Sequence, residues 1–121
     1  MTIGKTIKTK YGDLTLKVDS YSNNKRLAVL LYTQDGELFD DLTINLSDEF
    51  IVDIDGAFIN DSINSSEFDV VDILKNEGII EESYGFRNYN FGKYELVRFN
   101  SDKLEEYDKE GYMNFLKQYG G

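Results

Sequence analysis

The chain has 121 residues, of which 40% are hydrophobic and 14% aromatic, enough apolar surface to predict one folded domain over residues 1–121. It carries 13 Lys and Arg against 23 Asp and Glu, a net charge of -10, and it contains no Cys, His, Trp or Pro. These absences exclude a disulfide scaffold, a zinc site built on Cys or His, and any mechanism that needs a catalytic Cys or a His base.

The first half of the chain predicts an antiparallel meander. Apolar residues alternate with polar ones in two N-terminal segments, and a third segment is apolar on both faces, as in a central strand. Asp35-Gly36 predicts a hairpin turn after that central strand, and Asp55-Gly56 predicts a later turn. The predicted strands cover residues 3–11, 14–19, 27–32, 42–46 and part of 50–59.

In the second half the hydrophobic period changes to that of helices. Ser65 or Ser66 can cap a first helix, which ends at Gly78 with Ile79 just beyond. A late strand is expected near 94–99, followed by a short turn with Asp102 and Glu105 as a capping pair. An amphipathic helix is expected over 112–119. The sequence thus predicts an α+β fold, an antiparallel sheet of about five strands packed by two or three helices.

The negative charge is concentrated in the middle of the chain. From Asp35 to Leu74 there are twelve Asp or Glu and no Lys or Arg. Such carboxylates are solvated, paired with the N-terminal lysines, or facing a partner. The candidate partner-binding residues on this acidic face are Asp35, Glu37, Asp40, Asp41, Asp48, Glu49, Asp53 and Asp55.

A second candidate surface is the segment 83–94, which is dense in aromatic residues, Gly and Asn. One interpretation is a hairpin whose aromatic residues feed the core. The other is a recognition loop, since aromatic residues and Arg dominate the energetics of many interfaces. In that case Tyr84, Arg87 and Tyr89 are the expected contact residues.

Enzyme chemistry finds little support in the motifs. Asp53-Ile54-Asp55-Gly56 is similar to the start of a calcium loop, but Ile51 and Ser62 occupy positions where an EF-hand needs ligands. No phosphate loop or nucleophile elbow occurs, and twenty-three carboxylates do not single out a catalytic pair. We expect no enzyme activity, no cofactor and no metal, with a small carboxylate-dependent enzyme as a minor alternative.

The charge also bears on partners and location. A net charge of -10 disfavours direct binding of nucleic acid, with one basic exception near the N-terminus, formed by Lys5, Lys8, Lys10, Lys17, Lys25 and Arg26. An acidic surface instead suits a protein partner whose basic channel holds nucleic acid. No signal-peptide pattern and no apolar run of membrane-spanning length occurs, so a cytoplasmic protein without membrane contact is expected.

Several turn and strand motifs carry a resemblance to a known family: Tyr11-Gly12-Asp13-Leu14, Tyr21, Asn23-Asn24, Leu27-Ala28-Val29, Asp35-Gly36-Glu37, Leu42-Thr43-Ile44-Asn45-Leu46, Ala57-Phe58-Ile59-Asn60 and Asn76-Glu77-Gly78. They resemble an uncharacterised family of small acidic proteins encoded on conjugative elements, plasmids and phages of Gram-positive bacteria. The resemblance covers about the first two thirds of the chain.

The resemblance implies a context, because small accessory proteins of such elements often disarm host defences. It implies an anti-CRISPR protein that inhibits a Cas9-type effector by stoichiometric binding to its basic channel. Blocked guide loading or a trapped inactive conformer is equally compatible with the sequence. The alternative is an adaptor or regulatory protein of the mobile element with no nuclease target.

Overall fold

A computed structural model describes residues 6–9, 12–46, 51, 54–60, 70–89 and 92–120. Among these residues, eight strands form two four-stranded antiparallel sheets, and three helices pack against them. The elements are β1 (Ile7–Thr9), β2 (Gly12–Ser20), β3 (Leu27–Thr33), β4 (Leu38–Asp41), β5 (Thr43–Ile44), β6 (Gly56–Ile59), α1 (Val70–Asn76), β7 (Ile80–Tyr89), β8 (Gly92–Phe99), α2 (Ser101–Tyr107) and α3 (Lys109–Gly120). The predicted α+β class is confirmed, but the strands are more numerous than the five or so predicted and are divided between two sheets.

The first sheet is a meander in the order β1-β2-β3-β4. Its register pairs Leu16 with Leu31 and Val18 with Val29, and all four side chains are buried on one face. Residues directly opposite each other in an antiparallel pair share a face, so Lys17 and Leu30 lie together on the other, outer face. The strand alternation read from the sequence is therefore confirmed in β2.

The chain leaves the first sheet for the second at Leu42, which is fully buried. The Leu42 N–H donates to the Val29 carbonyl of β3 at 3.0 Å, and the Leu42 carbonyl accepts from Asn60 N–H, beyond β6, at 2.9 Å. Leu42 is thus bonded to both sheets and belongs to neither strand. The predicted continuous strand over 42–46 is wrong for this reason, and only Thr43 and Ile44 form β5.

The second sheet has the order β5-β6-β8-β7. The long β7–β8 hairpin forms one side of it, and β7 is an edge strand with two register shifts against β8. The second shift lies between Ser83 and Phe86, where Gly85 adopts a φ of 90° that favours glycine. The interpretation of the segment 83–94 as a hairpin is confirmed.

The helix ends follow local hydrogen-bonding chemistry. After α1, Gly78 has a φ of 78°, Gly78 N–H donates to the Lys75 carbonyl, and Ile79 N–H donates to the Leu74 carbonyl. This is a Schellman motif, so the predicted glycine-terminated helix end is confirmed. The predicted caps Ser65 and Ser66 lie outside the described residues.

The cap predicted for the short turn near 102 is wrong by two residues. Asn100 is the N-cap of α2, and its side-chain oxygen accepts from the N–H groups of Asp102 and Lys103. Asp102 lies in the first turn of α2. Its backbone N–H is therefore one of the donors that the N-cap side chain accepts from.

One main core joins both sheets to all three helices. It contains buried residues of β2 and β3, of β6 and β8, and Leu74, Leu104 and Phe115 from the helices. A smaller cluster of Leu46, Phe58 and Leu96 lies apart from it and is covered in part by Tyr89 and Tyr94. Both faces of the second sheet are therefore packed.

The C-terminal helix is fixed to the first sheet by Asp108. One carboxylate oxygen accepts from Val18 N–H of β2 at 2.9 Å, and the other accepts from Gly111 N–H of α3 at 3.1 Å. Tyr112 and Phe115 are buried against the sheet, as the predicted helical spacing requires, while Tyr119 is 42% exposed and contacts the Phe115 ring.

Candidate protein interface

The first candidate interface is the hairpin of β3 and β4, at the edge of the first sheet. Gly36 N–H donates to the Thr33 carbonyl at 3.0 Å, and Thr33 N–H donates to the Glu37 carbonyl at 2.8 Å. Gly36 has a φ of 88°, which a three-residue hairpin loop needs at this position. The turn predicted at Asp35-Gly36 is confirmed, and it holds the neighbouring carboxylates at an exposed tip.

Four of the eight predicted acidic residues lie on this hairpin, which we call the acidic hairpin: Asp35, Glu37, Asp40 and Asp41. Asp35, Glu37 and Asp41 are exposed, and Asp40 is half-buried with one carboxylate oxygen accepting from Asp41 N–H at 2.8 Å. The other four are not brought to it. Asp48, Glu49 and Asp53 lie outside the described residues, and Asp55 lies elsewhere in the fold.

Asp55 is half-buried and is bonded to the C-terminal helix. Its carboxylate accepts from the Tyr112 hydroxyl at 3.0 Å, and its backbone carbonyl accepts from Phe99 N–H at 2.9 Å. These contacts give Asp55 a structural role between the start of β6 and α3. We therefore leave it out of the acidic hairpin.

The Tyr112–Asp55 contact leads to a prediction about alkaline pH. Burial, the charge of Asp55 and the hydrogen bond to it raise the pKa of Tyr112 from 10.0 to about 12. The folded protein holds the Tyr112 proton more tightly than the unfolded chain does. The resulting stability is fully present below pH 10 and is lost as the pH rises towards 12. Tyr112→Phe should lower the unfolding free energy by about 1–2 kcal/mol at about pH 8, and by less at about pH 11. Urea denaturation at both pH values tests this, and a constant difference would contradict it.

The acidic hairpin is not neutralised by the basic residues that the structure describes. Ion pairs among these residues join Lys8 to Asp13 at 3.8 Å, Lys75 to Glu95 at 2.8 Å and Arg98 to Glu81 at 3.6 Å. None of them involves a residue of the acidic hairpin. Its charge is therefore available to a partner.

A concave site lies beside Asp41, where the outer face of the first sheet meets β5. It is a cavity of about 240 Å³ with apolar walls that include Ala28, Leu30 and Ile44. Register places Asp41 opposite Leu30, so both side chains belong to this outer face. Of the described residues that line the cavity, only Asp41 is charged.

The uncharged polar residues that line this cavity are Tyr21, Thr43, Asn45 and Asn60. The hydroxyl of Tyr21 lies 2.9 Å from Thr43 Oγ1, which also accepts from Val29 N–H at 3.1 Å. Burial and the nearby charge of Asp41 raise the pKa of Tyr21, against the opposite effect of the Thr43 hydrogen bond. The Tyr21 hydroxyl therefore stays protonated at neutral pH.

The second candidate surface, the β7–β8 hairpin, is only partly as predicted. Tyr84 is 42% exposed and Arg87 is exposed, whereas Tyr89 packs against the smaller hydrophobic cluster. Sequence reasoning missed Phe86, which is 49% exposed and has the Lys93 ammonium 6.0 Å from its ring centroid. The signal was Gly85, because a bulge changes the face on which the next residue lies.

The predicted basic exception does not form one patch in the described part of the chain. Lys8 pairs in register with Asp13 at the start of β2, and Lys25 follows the end of that strand with a φ of 62°. A nine-residue strand separates them by about 25 Å. Arg26 donates to the Leu46 carbonyl at 3.1 Å, and Lys5 and Lys10 lie outside the described residues.

The described residues include one buried charge, Glu95, which lies within the β7–β8 hairpin and pairs in register with Phe86. Glu95 is 3% exposed, and its Oε2 accepts from Lys75 Nζ at 2.8 Å and from Ser83 Oγ at 2.5 Å. These contacts connect α1, β7 and β8. A serine next to a carboxylate is one element of nucleophilic catalysis. Here, however, the Glu95 carboxylate also accepts from Lys75, which joins α1 to the sheet. We interpret the group as structural.

Among the described residues, no group of three or more Asp and Glu has the arrangement to hold a metal ion. None of the helices in that part of the chain combines the length and the apolar character needed to cross a bilayer.

Comparison with known proteins gives one result. A family model for a domain of unknown function, DUF4313, matches residues 15–119, and the chain belongs to this family. No curated protein and no solved structure matches the chain. The predicted membership of an uncharacterised family is confirmed.

Proposed function

We propose that this DUF4313 protein is a non-catalytic inhibitor of a host defence system that acts on nucleic acid. The proposed target is a CRISPR effector of the Cas9 type, and the proposed contact is the acidic hairpin. The observation that carries the proposal is that Asp35, Glu37, Asp40 and Asp41 lie on one edge hairpin without an ion pair among the described residues.

The physical argument is competition for a cationic channel. A Cas9-type effector holds a heteroduplex in a positively charged channel and reads its adjacent motif with arginines. Carboxylates accept charge-assisted, often bidentate hydrogen bonds from arginine, as phosphate oxygens do. A net charge of -10 also speeds encounter with a basic surface. Occlusion by a folded acidic hairpin needs no catalytic group.

The β7–β8 hairpin favours a second candidate function, that of an adaptor in the mobile element. Exposed Phe86 and Arg87 are residue types that anchor protein interfaces. An adaptor would use this surface and have no nuclease target. The two functions therefore depend on different hairpins.

The test is inhibition of a purified, guide-loaded Cas9-type nuclease by increasing amounts of the protein. We expect inhibition to saturate near one inhibitor per nuclease and to weaken as salt is raised. The variant with Asp35→Asn, Glu37→Gln, Asp40→Asn and Asp41→Asn keeps the side-chain shapes and removes four charges. Its inhibition should be at least about tenfold weaker, since each charge-assisted contact contributes on the order of 1 kcal/mol or more.

A matched control removes four exposed carboxylates elsewhere, with Asp72→Asn, Glu77→Gln, Glu82→Gln and Glu110→Gln. It has the same net charge as the test variant and should inhibit like the wild type. Equal loss in both variants would show that net charge alone matters, and full inhibition by the test variant would contradict the role of the acidic hairpin. No inhibition of the nuclease by the wild-type protein would leave the adaptor function.

A further inference from the structure

The cavity beside Asp41 has the size and walls of a side-chain pocket. Its volume of about 240 Å³ is below the ~300–1,000 Å³ of sites for drug-sized ligands. Ala28, Leu30 and Ile44 supply apolar wall, and Asp41 supplies the only charge among the described lining residues. An occupant must therefore combine an apolar stem with a cationic head.

Hydrogen bonds fix the backbone of Asp41, whereas its carboxylate has no partner among the described residues. Asn60 Nδ2 donates to the Asp41 carbonyl at 3.1 Å, and Asp41 N–H donates to Asp40 Oδ1 at 2.8 Å. No hydrogen bond or ion pair to the Asp41 carboxylate occurs within the described ranges. A carboxylate held by its backbone at the edge of an apolar cavity is preorganised for a cation.

Tyr21, which also lines the cavity, offers a further acceptor. Thr43 Oγ1 is occupied by Val29 N–H and by the Tyr21 hydroxyl, and Thr43 is 2% exposed. The Tyr21 hydroxyl oxygen keeps accepting capacity beyond that single contact. It can therefore receive an N–H from an occupant whose other N–H groups meet Asp41.

We propose that this cavity binds one arginine side chain of the protein partner. The inference rests on the proposed function, because it requires a partner with a basic surface, and it names the residue type that the acidic hairpin selects. The methylene stem of arginine packs on Ala28 and Leu30, and its planar guanidinium donates to Asp41 and to Tyr21. Lysine fits less well, because its ammonium is more strongly hydrated and does not form bidentate pairs.

The experiment uses the full chain and three small probes: N-acetylarginine methylamide and its lysine and citrulline analogues. Amide resonances in a ¹H–¹⁵N spectrum report binding, with a dissociation constant expected on the order of 1–10 mM for the arginine probe. The lysine probe should bind several-fold more weakly, and neutral citrulline should not bind measurably. Shifts should centre on Tyr21, Leu30, Thr43 and Asn60.

Two variants separate the pocket from general attraction. Asp41→Asn should weaken arginine binding about tenfold, whereas Asp35→Asn, at the hairpin tip outside the cavity, should weaken it by no more than about twofold, because it removes only long-range attraction. Tyr21→Phe should weaken it by a few-fold. The dispersed spectrum of each variant checks that it is folded.

Equal binding of the arginine and lysine probes would overturn the proposal that the cavity binds arginine. Equal losses of affinity for the arginine probe in Asp41→Asn and Asp35→Asn would overturn it as well. That result would leave the proposed function intact, because diffuse attraction to the acidic hairpin would still support inhibition. Conversely, selective arginine binding together with a nuclease that the protein does not inhibit would overturn the proposed target and keep the pocket.

Discussion

Gly111→Ala is expected to destabilise the protein by about 3 kcal/mol, although alanine normally forms helix better than glycine by up to about 1 kcal/mol. Gly111 lies in the first turn of α3. A Cβ at position 111 would lie closer than 3.0 Å to the Val18 backbone carbonyl and to the Asp108 carboxylate. The carbonyl belongs to β2 and has no freedom to move. The helix must therefore shift away from the sheet.

The cost is large because the same contact holds α3 in place. Asp108 accepts from Val18 N–H and from Gly111 N–H, so a shift of α3 strains both hydrogen bonds. It also loosens Tyr112 and Phe115, which are buried against the first sheet. Glycine at 111 is thus needed for close approach and not for an unusual backbone angle.

Urea denaturation of Gly111→Ala measures the loss of unfolding free energy, and thermal denaturation should show a fall in melting temperature of about 10 °C. Asn114→Ala is the control, because Asn114 is exposed on the same helix and alanine is the better helix former. It should change the unfolding free energy by no more than about 0.5 kcal/mol, towards stability. Wild-type stability in Gly111→Ala would contradict the close approach.

Sequence reasoning succeeded where a feature depends on neighbouring residues. Gly36 and Gly78 occupy backbone conformations that favour glycine, and each closes its turn through hydrogen bonds to residues a few positions away. The spacing of Tyr112 and Phe115 placed one face of α3 against the sheet for the same reason. Local chemistry decides such features, and the rest of the fold only accommodates them.

Prediction from the sequence failed for features that depend on contacts between segments far apart in the chain. The change of sheet at Leu42 depends on Val29 and Asn60, and the position of Asp55 depends on Tyr112, which is 57 residues away. The cavity beside Asp41 combines residues of β3, β4 and β5 with the turn before β3. No period or motif in a single segment contains this information, so the acidic hairpin was predictable and its pocket was not.

Lys75→Met is the second substitution with a large expected effect, a loss of about 2–3 kcal/mol of unfolding free energy. Glu95 is 3% exposed on a strand that has neighbours on both sides, and its Oε2 accepts from Lys75 and Ser83. Removal of the lysine leaves a buried carboxylate with one hydroxyl donor. An uncompensated buried charge is strongly destabilising.

The two partners should differ in their single-substitution costs. The Lys75 side chain is 37% exposed, so after Glu95→Gln its ammonium can return to water. Lys75→Met should therefore cost more than Glu95→Gln, for which we expect about 1–2 kcal/mol. Lys17→Met is the control for loss of an exposed lysine and should change stability by no more than about 0.5 kcal/mol.

A double-mutant cycle decides whether the contact itself is responsible. Lys75→Met combined with Glu95→Leu replaces the ion pair by apolar groups, and such a replacement is often close to neutral. The double variant should therefore be more stable than the sum of the losses in Lys75→Met alone and Glu95→Leu alone predicts, with a coupling of about 1–2 kcal/mol measured by urea denaturation. Additive losses would mean that Lys75 and Glu95 act independently. In that case the buried carboxylate would not explain how α1 is held against the β7–β8 hairpin.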